Sequence, residues 1–282
     1  MQPSRRYVIF IHLAALATAL IILAPFAWLL ISSVATPADL LAKPLRWIPP
    51  APSLDRYRQI FTGSRSEAAG AFRTALVNST IVAACTVVIS MAVGILGAYA
   101  FARLQFRGRR LTMRLFLMTY MLPPIAIIIP VYLIMAQLGL LDSKIGLIVV
   151  YSSFVTPFVL WIMSNYFLSL PAELEDAARV DGCSRLGALW RVMLPIARPG
   201  VFATMMFGFL LAWDEFLYAL ILTSTPNAKT VPVAIAEFTG RHSVDFGLIA
   251  AGGVLAAVPP VLLAIAFQRY VVSGLTSGAV KG

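Results

Sequence analysis

Six long apolar segments dominate this chain and constrain what it can fold into. They cover residues 8–34, 75–102, 115–141, 145–170, 200–223 and 246–268, and each is 23 to 28 residues long. A helix needs about 20 apolar residues to cross the hydrocarbon core of a membrane, and inside lipid every backbone amide must be hydrogen-bonded. The sequence therefore predicts an all-α membrane protein with six transmembrane helices.

The composition agrees with this prediction. Hydrophobic residues make up 60% of the chain and charged residues 12%, whereas a typical soluble domain has about 25% charged residues. Cys85 and Cys183 form neither a disulfide framework nor metal-ligand spacing, so no metal site is expected. The net charge of +10 is expected to reflect basic loops at a lipid bilayer and not nucleic-acid binding, because no basic stripe alternates with aromatic residues.

The distribution of basic residues predicts the orientation. With the N-terminus inside, 13 of the 22 Lys and Arg residues fall in inner segments, and residues 103–114 alone carry five arginines. This bias favours two cytoplasmic termini. The first apolar segment is too long for the core of a cleaved signal peptide, so a retained helix is expected. The predicted organisation is a first transmembrane helix (1–34), an outer loop (35–71), a core (72–270) and a cytoplasmic tail (271–282).

Prolines are expected to interrupt three of the six segments, because a proline inside a helix removes one backbone hydrogen bond and kinks the chain. They are Pro123, Pro124 and Pro130 in the third segment, Pro157 in the fourth, and Pro259 and Pro260 in the sixth. A bundle with several broken helices is typical of a protein that moves or that forms a pathway.

The inner segment 171–199, between the fourth and fifth apolar segments, predicts two short helices. Pro171 suits a first helical turn, and acidic residues follow it at the positive end of the helix dipole. Asp181 and Gly182 are expected to end the first helix, with Gly182 in the left-handed conformation. Ser184 is expected to cap the second helix.

Small residues along the first of these helices suggest a docking surface. Leu174, Ala177, Ala178 and Asp181 follow helical spacing, and a stripe of alanines lets a backbone approach another surface closely. The second helix has an apolar stripe at the same spacing, formed by Leu186, Leu189, Trp190 and Met193. Periodicity alone leaves two alternatives open, which are a hairpin that docks on another protein and a hairpin that lies in the lipid headgroups.

Several motifs resemble one transporter family. The run Glu175-Asp176-Ala177-Ala178, followed by Asp181-Gly182 and Leu194-Pro195, resembles the EAA loop of ABC importer permeases. The run Gly274-Leu275-Thr276-Ser277-Gly278 is similar to the C-terminus of MalG-type carbohydrate permeases, among them the permeases of trehalose importers. The arginine-rich segment after the second apolar segment and the run Trp213-Asp214-Glu215 also fit this family, and the resemblance extends from about residue 72 to the end.

The resemblance implies a type I importer permease fold and a role as half of a translocation pathway that works by alternating access. The implied substrate is a sugar such as trehalose or maltose, with glycerol phosphate or a polyol as the alternative solute. The implied partners are a second permease subunit, two ATPase subunits and an extracytoplasmic sugar-binding protein in a bacterial inner membrane. This chain has no phosphate-binding loop of the G-x-x-x-x-G-K-[ST] type, so it is expected to bind no cofactor and to leave ATP and Mg to the ATPase.

The resemblance also implies two contacts with the ATPase. The first is the coupling loop, and the second is the C-terminal tail, for which a frayed terminus is the alternative. The implied coupling residues are Glu175, Asp176, Ala177, Ala178, Asp181, Gly182 and Arg185, and the implied tail residues are Gly274, Leu275, Thr276, Ser277 and Gly278.

Asp214 and Glu215 are the only acidic pair inside a predicted transmembrane segment. Ionisable groups are costly there, so they suggest a water-filled pathway. Trp213 and Tyr218 lie close enough in sequence to stack on a sugar ring in that pathway. The alternatives are that this point already reaches the outer interface, or that the pair caps a break in the helix.

Two other classes of membrane protein fit the sequence less well. A secondary transporter of similar topology would need coupling carboxylates in several segments, and here only one segment has them. An intramembrane enzyme would need a metal site or a nucleophile with its partners, and no such set can be assembled from the apolar segments. The sequence therefore favours a transport subunit without enzymatic activity.

Overall fold

The computed structural model describes residues 4–44, 46–63, 67–239 and 245–276, and helices make up most of this part. The chain divides into two compact units, residues 1–73 with 234–258 and residues 74–233 with 259–282. In chain order the helices are α1 Arg5–Val34, α2 Pro37–Leu40, α3 Asp55–Thr62, α4 Glu67–Arg103, α5 Arg109–Met121, α6 Pro124–Gln137, α7 Lys144–Ser169, α8 Glu173–Val180, α9 Arg185–Ala188, the π-helix Leu189–Met193, α10 Leu194–Ile196, α11 Arg198–Trp213, α12 Leu217–Leu222, α13 Val231–Glu237 and α14 Phe246–Thr276.

The first unit is organised around a buried arginine. Arg56 of α3 donates hydrogen bonds to the backbone carbonyls of Ser32, Ser33 and Ala35 at the end of α1. Its guanidinium also lies 3.4 Å from a carboxylate oxygen of Asp245, just before α14. Because a buried charge is tolerated only when it is paired and hydrogen-bonded, Arg56 fixes the end of α1 and the start of α14 against α3.

The second unit has α7 at its centre. Tyr151, Met163 and Phe167 of α7 are among the largest fully buried side chains of the protein, and α7 packs against both α5 and α11. Thr156 of α7 donates a hydrogen bond to Ser90 of α4 at 3.1 Å. Helices in lipid associate through close packing and such interhelical hydrogen bonds, because lipid tails remove most of the hydrophobic driving force.

Within the described residues, four helices are long and apolar enough to cross a membrane, and two bent pairs bring the number to six if each pair is one span. The predicted third segment is the pair α5 and α6, bent by 95°, and a bend of 81° separates the helix that begins at Arg185 from α11. The predicted interruption by Pro123 and Pro124 is therefore confirmed. The predicted interruption by Pro130 is wrong, because α6 continues through this residue.

The predicted interruptions in the fourth and sixth segments are wrong. Helix α7 continues through Pro157, and α14 continues through Pro259 and Pro260. A transmembrane helix tolerates proline where neighbouring groups satisfy the freed backbone carbonyls. Helix α14 also extends to Thr276, so it includes the first six residues of the predicted tail.

The loop between α12 and α13 is fixed within the second unit by two groups of hydrogen bonds. The side-chain amide of Asn78 on α4 donates to the carbonyls of Pro226 and Lys229 at 2.9 and 3.0 Å. Asp142, before α7, accepts from the backbone N–H groups of Ser224 and Thr225 at 2.9 Å and from the Thr225 hydroxyl at 2.7 Å. This loop is therefore tied to both α4 and the start of α7.

Candidate functional site

The predicted helical hairpin is present, and its ends follow from local sequence. Helix α8 carries three acidic residues in its first turn and ends at Val180. Gly182 then adopts φ +87°, the left-handed conformation that glycine adopts without a steric penalty. The hydroxyl of Ser184 accepts a hydrogen bond from the N–H of Gly187 at 3.1 Å and caps α9. The predicted stop at Asp181-Gly182 and the predicted cap at Ser184 are both confirmed.

Helix α8 has one buried and one exposed face. Glu175 and Ala178 are buried, with 8% and 5% of their surface exposed. Asp176, Ala177 and Val180 point outward, and Val180 is 88% exposed. The predicted coupling residues therefore do not share one surface, because the two alanines lie on different faces of α8.

The exposed face continues beyond α8. Asp181, Gly182 and Arg185 are exposed at the turn and at the start of α9. Leu186 and Trp190 are also more than half exposed, although the sequence predicted them on one apolar face with buried Leu189 and Met193. The π-helix that begins at Leu189 changes the register of this stripe. The hairpin thus presents acidic and apolar side chains together on its outer surface.

The carboxylate of Glu175 is engaged inside the bundle. Its Oε1 accepts a hydrogen bond from the hydroxyl of Tyr99 on α4 at 2.6 Å, and its Oε2 lies 3.7 Å from Nε of Arg103. Arg103 also donates to the carbonyls of Phe167 and Leu170 at the end of α7, at 3.0 and 2.8 Å. Glu175, Tyr99 and Arg103, here called the hairpin clamp, connect α8 to the C-terminal ends of α4 and α7.

A second candidate site lies at the break between α11 and α12. Asp214 ends α11, and its N–H donates to the carbonyl of Leu210. The two carboxylate oxygens of Glu215 accept from the N–H groups of Tyr218 and Ala219 at 2.8 and 3.1 Å. Glu215 therefore caps α12, which is the helix-break alternative that the sequence left open for this pair. Asp214 makes no such bond within the described ranges, and its side chain is exposed.

A cavity of about 650 Å³ adjoins this break. It lies where α5 gives way to α6, beside the middle of α7 and the start of α12. Phe154 of α7 and Tyr218 of α12 stack at 6.1 Å between ring centroids, with an angle of 15° between the ring planes. The residues that line this cavity include Tyr120, Ser152, Phe154, Thr156, Glu215 and Tyr218. The walls therefore combine aromatic faces with hydroxyl and carboxylate oxygens.

The four residues predicted to line the pathway have different positions. Asp214 lines a smaller cavity of about 260 Å³, and Glu215 lines both cavities. Tyr218 lines the larger cavity, whereas Trp213 is buried against Phe209 at 5.4 Å between ring centroids and contributes to neither. The structure thus brings together three of the four predicted pathway residues.

Sequence reasoning missed Tyr99, Phe154 and Val180 at these two sites. The partners of Tyr99 and Phe154 are distant in sequence, so no local pattern indicates them. Val180 had a signal, because it follows Ala177 by three residues and therefore lies on the same face of α8. In the predicted tail, Gly274, Leu275 and Thr276 form the end of α14, while Ser277 and Gly278 lie outside the described residues.

The sequence match to known families covers both candidate sites. Residues 90–277 match the family described as "Binding-protein-dependent transport system inner membrane component". This chain belongs to that family. Its fold is the type I permease fold that the sequence predicted, and the prediction of an ABC importer permease is confirmed.

Three relatives align along most of their length. The sulfoquinovosyl glycerol permease SmoH of Agrobacterium fabrum is 38% identical over 92% of this chain and 88% of its own. The trehalose permease SugB of Mycobacterium tuberculosis is 38% identical over 92% and 93%. The trehalose/maltose permease MalG of Thermococcus litoralis is 34% identical over 97% of both chains.

Solved structures support the fold independently. A chain of a bacterial ABC transporter that imports the acidic polysaccharide alginate superimposes with a TM-score of 0.76, covering 96% of this chain and 99% of that one at 24% identity. A bacterial alginate ABC transporter in complex with a pentasaccharide-bound periplasmic protein gives 0.67, at 14% identity and 94% coverage of both chains. At these identities the likeness concerns the fold.

Proposed function

We propose that this chain is the transmembrane permease subunit of an ATP-driven sugar importer and forms half of its translocation pathway. The observation that carries the proposal is that relatives named for trehalose, maltose and sulfoquinovosyl glycerol transport align with 92% or more of the chain. An alignment of this extent includes the helix breaks and the hairpin, and not only the apolar segments that all membrane proteins share.

The chemistry of the larger cavity favours a neutral sugar as substrate. Aromatic faces such as Phe154 and Tyr218 can stack on a sugar ring, and the Glu215 carboxylate can accept hydrogen bonds from sugar hydroxyls. No Lys or Arg is among the described residues that line either cavity. Glycerol phosphate or a sulfonated glycoside would meet the carboxylates of Asp214 and Glu215 without a compensating cation, so trehalose or maltose is the favoured substrate.

The proposed complex contains a second permease subunit, two ATPase subunits and an extracytoplasmic sugar-binding protein. The family description names dependence on a binding protein, which supports this last partner. ATP and Mg belong to the ATPase subunits in this proposal. Both termini lie in the cytoplasm of a bacterial cell, because residues 103–114 and the hairpin then lie on the same, arginine-rich side of the membrane.

The hairpin is proposed to couple ATP hydrolysis to transport. Its exposed face, with Asp176, Ala177 and Val180, contacts the ATPase, while the hairpin clamp holds its buried face against α4 and α7. A displacement of α8 by the ATPase is then transmitted to the inner ends of these two helices, which supports alternating access. The end of α14 at Gly274, Leu275 and Thr276, together with Ser277 and Gly278, forms a second contact with the ATPase.

The test is uptake by the complete complex in proteoliposomes with its binding protein. We expect uptake of labelled trehalose that requires ATP, is reduced by an excess of unlabelled maltose and is unaffected by an excess of glycerol phosphate. Failure of every neutral sugar to be taken up in the presence of ATP would contradict the proposed function. Inhibition by glycerol phosphate but not by maltose would contradict the proposed substrate class and leave the importer role intact.

A further inference from the structure

A basic hollow lies between the end of α4 and the start of α5. Its volume is about 740 Å³. Among the described residues, the arginines that form ion pairs with carboxylate side chains are Arg46, Arg56 and Arg103. Arg109, Arg110 and Arg114, which line the hollow, therefore have no carboxylate partner among these residues. The lining residues are Gln105, Phe106, Gly108, Arg109, Arg110, Leu111 and Arg114.

The start of α5 concentrates positive charge without compensation. Gly108 precedes the helix and provides no side-chain cap, and the first turn contains no acidic residue. The N-terminus of a helix already has unsatisfied N–H groups and a partial positive charge. Arg109 and Arg110 add two full charges at that end. This arrangement is unfavourable in the isolated chain and becomes favourable when an anion binds.

The outward face of α5 changes from basic to apolar along the helix. Helix α5 packs against α7, and its Thr112, Met113 and Leu117 are half-buried. On the adjoining face, Arg110, Arg114, Met118 and Met121 follow one another at intervals of three or four residues, and all four are exposed. That spacing places them in one stripe.

The length of this stripe matches a phospholipid at the edge of a bilayer. At about 1.5 Å per residue, Met118 and Met121 lie about 12 and 16 Å along the axis from Arg110. Arginines at such a boundary attract anionic headgroups, and the apolar residues beyond them contact acyl chains. A free phosphate ion would leave the two methionines uncovered, and so would an acidic protein surface that reached only the basic end.

We infer that the α4–α5 hollow and the outward face of α5 form a binding site for an anionic phospholipid. Arg109, Arg110 and Arg114 hold the headgroup phosphate, and Met118 and Met121 contact the acyl chains. This site shares no lining residue with either cavity at the α11–α12 break, and it does not depend on which solute the protein transports.

The test uses the complete complex in nanodiscs of phosphatidylcholine that contain a minor fraction of phosphatidylglycerol. Native mass spectrometry counts the phosphatidylglycerol molecules that stay bound. The variant Arg110→Gln/Arg114→Gln should bind phosphatidylglycerol about thirtyfold more weakly, the change expected for two arginines at an anionic lipid. The control Arg5→Gln/Arg6→Gln removes the same charge from the first turn of α1 and should leave this binding unchanged.

A second variant separates a lipid from a free anion. Met118→Gln/Met121→Gln keeps every arginine, so it should weaken phosphatidylglycerol binding several-fold only if acyl chains lie on this face. Equal binding by the wild-type protein and both site variants, all correctly assembled, would overturn the inference. Displacement of phosphatidylglycerol by inorganic phosphate, with no effect of the methionine variant, would also overturn it. Loss of the ATPase from the arginine variant with unchanged lipid retention would instead assign the surface to a protein partner.

Discussion

At the scale of single residues, the Tyr99 hydroxyl donates the hydrogen bond that ties α8 to α4. Tyr99→Phe removes its 2.6 Å hydrogen bond to Glu175 and keeps the aromatic ring in contact with Phe167. Hydrogen bonds to charged groups contribute about 1.5–3 kcal/mol, so the buried face of α8 should be held less firmly. We expect less sugar transported per ATP hydrolysed, measured in proteoliposomes.

The control for this prediction is Tyr132→Phe, which removes the same hydroxyl from a partly exposed tyrosine of α6. It should leave the ratio of transport to hydrolysis unchanged. A Tyr99→Phe complex that assembles normally and keeps the wild-type ratio would show that the hairpin clamp has no part in coupling.

The hydrogen bonds of the Asp142 carboxylate should make the stability of the loop between α12 and α13 depend on pH. Burial raises the pKa of this carboxyl, but hydrogen bonds from Thr225 and Ser224 outweigh it, so its pKa lies below the ordinary value. A lowered pKa in the folded state adds stability above the unfolded value of about 3.9, and this contribution is lost as the pH falls through the folded pKa. Hydrogen exchange in residues 223–230 should therefore increase below about pH 4.

The substitution Asp142→Asn tests whether the Asp142 carboxylate causes this pH dependence. The amide has no charge to lose, so exchange in the same loop should be faster at neutral pH and should change less on acidification. An unchanged pH dependence in this variant would mean that another group controls the loop.

At the scale of helices, the break between α11 and α12 gives adjacent carboxylates different roles. Glu215→Ala removes the cap of α12 and should lower the free energy of unfolding by about 1–2 kcal/mol. Asp214→Ala removes a side chain that caps nothing among the described residues, so it should change the KM for sugar uptake with little change in thermal stability. Equal losses of stability in both variants would contradict this division.

Helix α14 should tolerate a methyl group at one glycine and not at another. A Cβ at Gly247 would clash with Cζ of Arg56, whereas a Cβ at Gly253 would lie 3.5 Å from the Leu29 side chain. Gly247→Ala should therefore displace the buried guanidinium and lower stability by about 3 kcal/mol, while Gly253→Ala should stay close to the wild-type value. Thermal unfolding of the purified protein in detergent measures both, and equal unfolding temperatures would contradict the role given to Arg56.

The helix boundaries show which features the sequence predicts. The end of α8 at Gly182 and the cap at Ser184 depend on residues adjacent in sequence, so local patterns were sufficient. The partner of Glu175 is 76 residues away, and only the packed bundle brings them together. Proline was an unreliable signal for the same reason, because surrounding helices decide whether Pro157 breaks a helix or stays within it.

At the scale of the whole molecule, the transport class followed from the sequence, whereas the lining of the cavity did not. Six apolar segments and the hairpin motif were sufficient for an importer permease. The stacking of Phe154 on Tyr218 and the burial of Trp213 depend on how α7, α11 and α12 pack. Asp214, Glu215 and Tyr218 line the cavities, and the sequence indicated them together because they are close in the chain. Phe154, which stacks on Tyr218, is distant in sequence, so no local pattern indicated it.

Cysteine cross-linking in the complete complex can detect the proposed contact between the exposed face of α8 and the ATPase. In a background with Cys85→Ser and Cys183→Ser, a short cross-linker should join Val180→Cys to the ATPase subunit. The control Leu138→Cys, on an exposed residue after α6, should give no such product. If position 180 gave no product in an assembled, active complex, the exposed face of α8 would not be the contact with the ATPase.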